Sequence, residues 1–336
     1  HFLDAQVDDS RLVLRLIHES VATGACALNY TIVRHIDRND EGYVVGVELE
    51  DMETHETKNV SSAAVINATG SWAEKLHPSP EPQRHLRPLR GSHLVFSATA
   101  IPLTEGFSFM HPLDNRAVFV IPWEGAVLAG TTDLDHPQDL SIEPNITEAE
   151  VTYLMKGIQA IFPSLNITLA DCLCAFAGIR PVFSEGKLKP SEESREHVVW
   201  VDHGLVTVTG GKLTTFRRLA LDALIAAKSF LPPGKMVDRK APVFNEVQQT
   251  PVQEYGLSAE TWRRLYGRYG NAADTIVKTA KAGDLTTIAG THTLWAELPY
   301  VAQNEQIRHL GDLLLRRVRI GLLTPQGGKA YLKRIQ

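Results

Sequence analysis

The sequence predicts a mixed fold, with α/β and α+β segments in the first 230 residues and an all-helical C-terminal region. A short apolar strand and a glycine-bounded strand–helix unit are typical of an open α/β sheet. Several short strands follow one another between about residues 87 and 135, which favours an antiparallel sheet. After a loop-rich segment, residues 251–336 have helical periodicity and hold 12 Lys or Arg against 7 Asp or Glu.

The composition is that of an ordinary globular protein. The 336 residues are 43% hydrophobic and 22% charged, with a net charge of −5, which excludes disordered, collagen-like and coiled-coil classes. The net negative charge does not favour nucleic-acid binding, and no apolar run is long enough to span a bilayer. Cys26, Cys172 and Cys174 form no disulfide framework. We expect the last two to be buried as small apolar residues, and we expect no metal site.

The first 230 residues alternate between predicted helices and strands. Capping side chains at residues 8–10 begin a helix that ends near Gly24. Two further helices are predicted over residues 147–161 and 212–227. The predicted strands cover residues 28–33, 43–49, 63–66, 93–96, 117–121, 127–131, 198–201 and 205–208, the last two as a hairpin.

The domain organisation follows from these shifts in pattern. The open α/β part covers residues 1–86 and 178–230, and the antiparallel sheet covers 87–177. Residues 231–250 are rich in loop signals and form a predicted linker. The C-terminal domain, residues 251–336, has predicted helices over 258–269, 272–282, 301–319 and 325–335.

A pair of glycines between a strand and a helix gives the strongest functional signal. Gly210 and Gly211 let a ligand approach the backbone N–H groups at the positive end of the helix dipole. Lys212 adds a positive charge and Thr214 a hydroxyl, with Leu213 between them. The spacing is not that of a phosphate-binding P-loop. A plain turn is the alternative, and the Lys-Leu-Thr-Thr sequel favours a function.

A second loop follows the apolar strand at residues 63–66. Asn67, Ala68, Thr69 and Gly70 come directly after that strand, and Trp72 follows them. Small residues at the carboxyl end of a strand allow the close approach of a ligand. The same motif also occurs by chance, so it is a weak signal by itself.

Two charged or titratable residues are candidates for substrate chemistry. Arg180 follows a mostly apolar run, where a guanidinium needs an anionic partner such as phosphate or carboxylate. Its alternative role is a surface salt bridge. His93 lies at the start of a predicted strand beside Gly91 and Ser92, which permit the close approach of a ligand. It is a candidate general base, or alternatively a structural histidine.

Taken together, these segments resemble the FAD-dependent glycerol-3-phosphate dehydrogenases. Seven segments match in the correct order, and residues 315–322 resemble the family's C-terminal cap. The matching segments are residues 7–14, 65–72, 87–93, 121–125, 130–133, 177–181 and 209–217.

The resemblance implies a partial Rossmann-like FAD-binding domain, an antiparallel-sheet substrate domain and an all-helical cap. It implies the oxidation of sn-glycerol 3-phosphate to dihydroxyacetone phosphate, with electrons passed to quinone at a membrane surface. The protein would then be cytoplasmic and peripheral to the inner membrane in a bacterium, or mitochondrial in a eukaryote, and a homodimer is compatible with it.

The resemblance also assigns roles to particular residues. Arg180 matches the family arginine that holds the substrate phosphate, and Arg195 is at the position of a second one. His93 matches the candidate for proton abstraction or substrate orientation. Lys212 matches a residue near the flavin, and the loops at residues 67–72 and 210–214 would contact the cofactor.

One departure from the family pattern affects the cofactor. No Gly-x-Gly-x-x-Gly occurs in the 336 residues, although the family holds the FAD pyrophosphate with this motif. The chain also opens on His1, so we expect it to be a fragment lacking the N-terminal part. We therefore expect the chain by itself to bind FAD weakly or not at all and to be inactive.

Three alternatives remain open from the sequence. The first is a glycerophosphate oxidase, which uses oxygen. The second is an amine- or amino-acid-oxidising flavoprotein, which would not need Arg180 and Arg195 for a phosphate. The third is non-enzymatic, with the helical tail as a membrane or partner module. In place of this third alternative, we favour a helical tail that packs on the β-domain and has solvated arginines.

Overall fold

A computed structural model describes residues 6–80, 85–184, 186, 190, 193–234, 238–247 and 256–335. Within these ranges the chain forms strands and helices in alternation up to Ala227 and helices beyond it. The strands are β1 (Thr31–Arg38), β2 (Val44–Asp51), β3 (Thr57–Ser61), β4 (Val65–Asn67), β5 (Leu86–Ser97), β6 (Phe107–Met110), β7 (Ala117–Trp123), β8 (Ala126–Gly130), β9 (Leu134–Asp135), β10 (Cys172–Phe183), β11 (His197–Asp202) and β12 (Leu205–Gly210).

The α-helices divide between the two parts of the chain. A π-helical segment, Asp312–Arg317, lies between α7 and α8. None of the helices among the described residues is long and apolar enough to cross a bilayer. The helices are α1 (Asp9–Ala22), α2 (Ala73–Leu76), α3 (Glu148–Ile161), α4 (Phe216–Ala227), α5 (Ala259–Tyr269), α6 (Ala272–Lys278), α7 (Glu297–Asn304), α8 (Ile320–Leu323) and α9 (Leu332–Ile335).

The strands form three sheets. A small antiparallel sheet has the order β1-β2-β3, and a mixed sheet has the order β11-β12-β4, in which β12 and β4 are parallel. The largest sheet is antiparallel, with the order β10-β5-β8-β7-β6 and with β9 paired to β5. The predicted antiparallel sheet is therefore confirmed. It extends beyond the predicted strands, since β10 crosses the predicted boundary at residues 177/178.

The two faces of the six-stranded sheet differ because side chains alternate along each strand. Leu94 and Phe96 on β5 pack on one face against Leu154 and Ile158 of α3, and all four side chains are buried. Thr147 caps α3 through a reciprocal pair of hydrogen bonds with Glu150. The opposite face carries the candidate site described below.

The C-terminal helices have their own apolar core and are tied to the rest of the chain by ion pairs. Leu265, Ile276, Ile288, Val301 and Ile320 form part of that core. The ion pairs form what we call the interface network. Its members are Asp8, Asp9, Arg11, Glu124, Arg264, Arg268, Glu297, Glu305, Arg317 and Arg319.

The interface network corrects the expectation of a tail with solvated arginines. Arg319 lies 2.8 Å from Asp8 and 2.9 Å from Asp9, and its guanidinium lies over the Trp123 ring. Arg317 is largely buried beside Glu305. The packing of the tail on the β-domain is confirmed, whereas Arg317 and Arg319 are paired rather than solvated.

Several predicted strands have different bounds in the structure. The strand expected at residues 28–33 begins at Thr31, because Tyr30 has a left-handed backbone (φ 52°) that interrupts the extended chain. The strand expected at 63–66 is β4, and its Ile66 is 42% exposed rather than buried. His93 lies within twelve-residue β5, not at the start of a strand. Strands β3, β6, β9 and β10 were not predicted.

The second half of the chain also departs from the predicted bounds. The helix expected at 301–319 is divided, because Gln306 (φ 50°) and Arg319 (φ 59°) have left-handed backbones. The helix expected at 325–335 is interrupted by left-handed residues at 326–328, and α6 ends four residues earlier than predicted.

Cys172 and Cys174 lie half-buried in β10. Parts of the predicted linker, residues 235–237 and 248–250, lie outside the described residues.

Candidate active site

The register of β5 and β10 places two candidate residues on one face of the large sheet. Arg180 pairs with Leu89, Gly178 with Gly91, and Phe176 with His93. Paired residues of an antiparallel sheet share a face, and so do residues two apart on one strand. Arg180 and His93 therefore lie on the same face of the sheet, opposite to the face that packs against α3.

The side chain of Arg180 reaches across the sheet to the segment that follows β8. Its Nη1 donates to the carbonyl of Thr132 (3.3 Å) and lies 3.2 Å from Oδ1 of Asp133. Its Nη2 donates to Oγ1 of Thr131 (3.1 Å). Burial lowers the pKa of Arg180, and Asp133 opposes that shift while Arg195 and Arg116 add to it. The guanidinium is thus only partly compensated by its neighbours.

Three arginines converge on one carboxylate at this place, and we call them the arginine cluster. Arg195 lies 3.1 Å and Arg116 3.7 Å from Oδ2 of Asp133, whose side chain is 3% exposed. Arg180 and Arg195, proposed from the sequence as a pair, are therefore brought together. Among the described residues, three guanidinium groups thus face one carboxylate, and this excess of positive charge favours a bound anion.

His93 lies on the same face in an apolar environment. Its imidazole stacks on the ring of Phe176, with centroids 5.1 Å apart, and in the described part of the chain its Nδ1 is buried without a hydrogen-bond partner. Burial first, and then the charge of Arg180, lower the pKa of His93 to about 4. The imidazole is therefore neutral at pH 7.

Glu150 supports the segment that carries Thr132 and Asp133. Its buried carboxylate accepts hydrogen bonds from the hydroxyls of Ser92 and Thr132 (both 2.8 Å) and lies 2.9 Å from Arg90. Burial raises the pKa of Glu150, but hydrogen bonds from Thr147 and these hydroxyls outweigh burial and hold the pKa at about 2. The residue therefore links the start of α3 to β5 from the face opposite the site.

The two loops expected to contact a cofactor are adjacent in the structure. Because β4 and β12 are parallel, their carboxyl ends meet at one edge of the mixed sheet. Asn67 is buried, and its amide donates to the carbonyl of Ala73 (2.9 Å) and to Thr207 (3.1 Å). The hydroxyl of Thr209 donates to the carbonyl of Gly70 (3.0 Å). The side chain of Asn67 thus holds the shape of the loop.

Around these loops, several of the candidate cofactor residues are open to solvent. Gly70, Gly210 and Gly211 all have positive φ (60°, 75° and 77°), a backbone conformation that favours glycine. The exposed members of both loops are Ala68, Thr69, Trp72, Lys212, Leu213 and Thr214.

The loop edge and the arginine cluster are neighbours. A Cβ built on Gly70 would lie 3.8 Å from the ring of Pro181, which directly follows Arg180 on β10. The structure therefore brings the loops at 67–72 and 210–214 next to the strand that carries the phosphate-binding candidate. Their roles in binding remain predictions.

Sequence reasoning missed several residues of the site. Asp133 lies in the Gly-Thr-Thr-Asp segment that carries part of the family resemblance, so a signal for it existed. Glu150 completes a Thr-x-x-Glu capping box, a pattern that marks the helix start but not the contact with β5. Arg116 and Phe176 have no local signal, because the strand register alone places them.

Comparison with known proteins assigns the chain to a family. The family model described as FAD dependent oxidoreductase matches residues 1–217, and the model described as C-terminal domain of alpha-glycerophosphate oxidase matches residues 240–336. Aerobic glycerol-3-phosphate dehydrogenase of Bacillus subtilis is 37% identical over 342 residues, covering 94% of this chain and 61% of the relative. The Staphylococcus haemolyticus protein of the same name is 29% identical with the same coverage.

A solved structure agrees with these relatives. The glycerol-3-phosphate dehydrogenase from Bacillus halodurans, complexed with FAD, superposes with a TM-score of 0.74 at 27% identity, over 95% of this chain and 65% of that one. The chain therefore belongs to the FAD-dependent oxidoreductase family, and within it is similar to glycerol-3-phosphate dehydrogenases. It spans about 61% of the length of the curated relatives.

Proposed function

We propose that the protein to which this chain belongs oxidises sn-glycerol 3-phosphate to dihydroxyacetone phosphate with FAD. The observation that carries the proposal is the arginine cluster on the sheet face that also holds His93. A phosphate dianion between Arg180 and Arg195 would balance the excess positive charge around Asp133. Charge-assisted contacts from two guanidinium groups would also orient the substrate.

His93 has the position for an orienting contact with the substrate hydroxyl. Its ring lies on the same sheet face as Arg180, four paired positions along the strands. A neutral imidazole both donates and accepts a hydrogen bond. Because its pKa is about 4, it is a weak proton acceptor at neutral pH, which favours orientation over proton abstraction.

The exposed loops fit one side of a flavin. Positive-φ glycines at 70, 210 and 211 allow the close approach of a planar ring to the backbone. Lys212, four residues before the start of α4, offers a positive charge nearby. FAD, when bound, would supply the acceptor for the hydride from carbon 2. The loops and Lys212 would orient the flavin ring towards His93, and Lys212 would stabilise the negative charge that the reduced flavin carries.

Cofactor affinity is a separate part of the proposal. The pyrophosphate-binding glycine motif does not occur in these 336 residues, so we propose that the chain by itself holds FAD weakly and is inactive. An absorbance spectrum of the purified chain mixed with FAD and then desalted measures this directly. A stoichiometric flavin that survives desalting would contradict it.

Substrate binding to the chain tests the central proposal. We expect sn-glycerol 3-phosphate to bind, as followed by NMR titration, and glycerol and glycine to bind at least tenfold more weakly. The Arg180→Met variant should lose at least tenfold in affinity for the phosphate ester. The matched control is Arg218→Met, at an exposed position on α4, and it should leave that affinity unchanged. Equal affinity for glycine and the phosphate ester would instead favour an amino-acid-oxidising protein.

We also propose that electrons pass to quinone at a membrane surface, as the family resemblance implies. An exposed patch of mixed character supports this: Leu310 and Leu315 are each 41% exposed, and Arg308 and Arg316 lie beside them in the chain. Apolar and basic side chains together suit an anionic lipid surface. Co-sedimentation with phosphatidylglycerol vesicles should fall in a Leu315→Ser, Arg316→Ser variant, and binding that is unchanged would contradict the proposal.

A further inference from the structure

Two glycines of the large sheet lie directly beneath the side chains proposed to contact substrate. A Cβ built on Gly91 of β5 would lie 2.5 Å from Nη1 and 2.6 Å from Cζ of Arg180. A Cβ built on Gly130 of β8 would lie 2.9 Å from both Cγ and Nε2 of His93. Non-bonded heavy atoms normally pack at about 3.5–4.0 Å, so neither position has room for a side chain.

Neither glycine is required by the backbone itself. Both lie in strands, and neither is among the glycines with positive φ. Alanine is therefore compatible with the local chain conformation at both positions. At each position, the three atoms nearest to a built Cβ all belong to the overlying side chain.

The path of Arg180 explains the need for Gly91. The side chain leaves β10, crosses β5 above Gly91, and ends at Thr131, Thr132 and Asp133 beyond it. Any side chain at position 91 would stand in this path. The sequence predicted that Gly91 admits a ligand, whereas in the structure the space above it is filled by Arg180.

His93 has the same relation to the next strand. Its ring projects from β5 over the backbone of Gly130, with which it is paired in register, and stacks on Phe176 of β10. A methyl group on residue 130 would displace the ring from this position. The row Phe176, His93, Gly130 thus defines where the imidazole lies.

We propose that Gly91 and Gly130 are positioning residues of the substrate site, because their lack of a side chain leaves the space that the guanidinium of Arg180 and the imidazole of His93 occupy. The roles of Arg180 and His93 in this proposal rest on the proposed function. Their positions rest on the geometry of the sheet.

The first test uses a double-mutant cycle on affinity for sn-glycerol 3-phosphate. Gly91→Ala should weaken binding at least tenfold, because Arg180 can no longer reach Asp133. In an Arg180→Ala background, the same substitution should change affinity less than twofold, since the side chain that needs the space above position 91 is gone. An unchanged affinity for Gly91→Ala, or an equal loss in both backgrounds, would overturn the proposal.

Gly46→Ala is the matched control for general disruption of a sheet. It lies in β2 of the small sheet, where a Cβ would be 2.6 Å from the carbonyl oxygen of Val60. It should lower the thermal midpoint without changing affinity for the phosphate ester. If it weakens binding as much as Gly91→Ala does, the effect at position 91 is general destabilisation and the proposal fails.

The second test does not depend on substrate. The imidazole resonance of His93, assigned by its loss in His93→Gln, should titrate with a midpoint near 4 in the unmodified chain. In Gly130→Ala the midpoint should move towards the ordinary histidine value of about 6.5, because the ring leaves its buried position beside Arg180; Asp9 is the other charged group acting on it. An unchanged midpoint would refute the role of Gly130, whereas a wild-type chain that binds no phosphate ester would refute the proposed function alone.

Discussion

The arginine cluster and the interface network use the same residue type for opposite purposes. In the described residues of the interface network, five arginines face five carboxylates, and Arg11 and Glu305 are almost fully buried. In the arginine cluster, three arginines share Asp133, and their side chains are 22–39% exposed. Charge is balanced and mostly buried in the interface network, where Asp9 is the exposed exception, and it is unbalanced and partly exposed in the arginine cluster.

The difference indicates how each region is stabilised. Buried, balanced ion pairs resist the removal of one partner, because the remaining charge has no compensation. In a cluster with excess positive charge, the like charges repel one another, and a bound anion relieves this repulsion. We therefore expect the interface network to govern stability and the arginine cluster to govern ligand affinity.

The largest effect is expected at the interface network. Arg11 makes two 2.8 Å contacts with Glu305 and lies over the ring of Tyr269. Arg11→Met should lower the free energy of unfolding by about 3–5 kcal/mol, measured by urea denaturation, with no change in phosphate-ester affinity once folded. Arg218→Met, which removes an exposed pair with Asp222, should cost about 0.5 kcal/mol or less. Equal losses of unfolding free energy for both variants would contradict the special contribution of the buried pair.

A second effect concerns the pH dependence of stability near the site. The pKa of His93 is about 4 in the folded chain, below the ordinary value of about 6.5, so folding favours the neutral ring. Its contribution is complete above pH 6.5 and is lost as the pH falls to about 4, by on the order of 3 kcal/mol. Urea denaturation of wild type and His93→Gln at pH 7 and pH 4 should show a smaller loss in the variant. Parallel losses would exclude a buried neutral His93.

A third prediction separates stability from affinity within the arginine cluster. Arg195→Met should leave the free energy of unfolding within about 1 kcal/mol of the original, because Arg180 and Arg116 still face Asp133. It should weaken phosphate-ester binding by less than Arg180→Met does, since Arg195 is 39% exposed. Calorimetric unfolding and NMR titration of the same samples measure both quantities. A large loss in the free energy of unfolding would contradict this prediction, because the arginine cluster would then stabilise the fold as the interface network does.

The smallest effect is expected from salt. Raising the salt concentration from 0.05 to 0.5 M shortens the Debye length to a few ångströms, which screens partly exposed charges more than buried ones. We expect phosphate-ester affinity to fall several-fold while the contribution of Arg11 to unfolding, taken as the difference between wild type and Arg11→Met, stays constant. Titrations in sodium chloride and in sodium phosphate separate screening from direct competition. An affinity independent of sodium chloride would rule out the charge excess as its source.

The sequence predicted elements whose signals are local. Helices α3 and α5 were predicted within one residue at each end, because capping residues and apolar periodicity lie within the helix itself. The hairpin of β11 and β12 was equally local, with left-handed His203 and Gly204 in its turn. The division of the helix expected at 301–319 occurs at Gln306, which bonds distant partners: its side chain donates to the carbonyl of Ala27, and its carbonyl accepts from Asn29.

The candidate site shows the same limit. Arg180, Arg195 and His93 were named from motifs, but their meeting point required the register of β5 with β10 and β8. Arg116 directly precedes β7 and joins the cluster through the pairing of β7 with β8, and Asp133 joins it through the segment after β8. The requirement for glycine at positions 91 and 130 arises from the side chains of other strands, so no local pattern predicts it.

The contact between Arg11 and Glu305 has a consequence for the order of events during synthesis. The two residues are 294 positions apart, so helix α1 leaves the ribosome long before its charged partners exist. Until then Asp8 and Arg11 must remain hydrated, and α1 cannot dock in its final position. At a synthesis rate of roughly 5–20 residues per second, that wait lasts on the order of 15–60 seconds. Helix α1 is therefore among the last of the described elements to reach its native contacts.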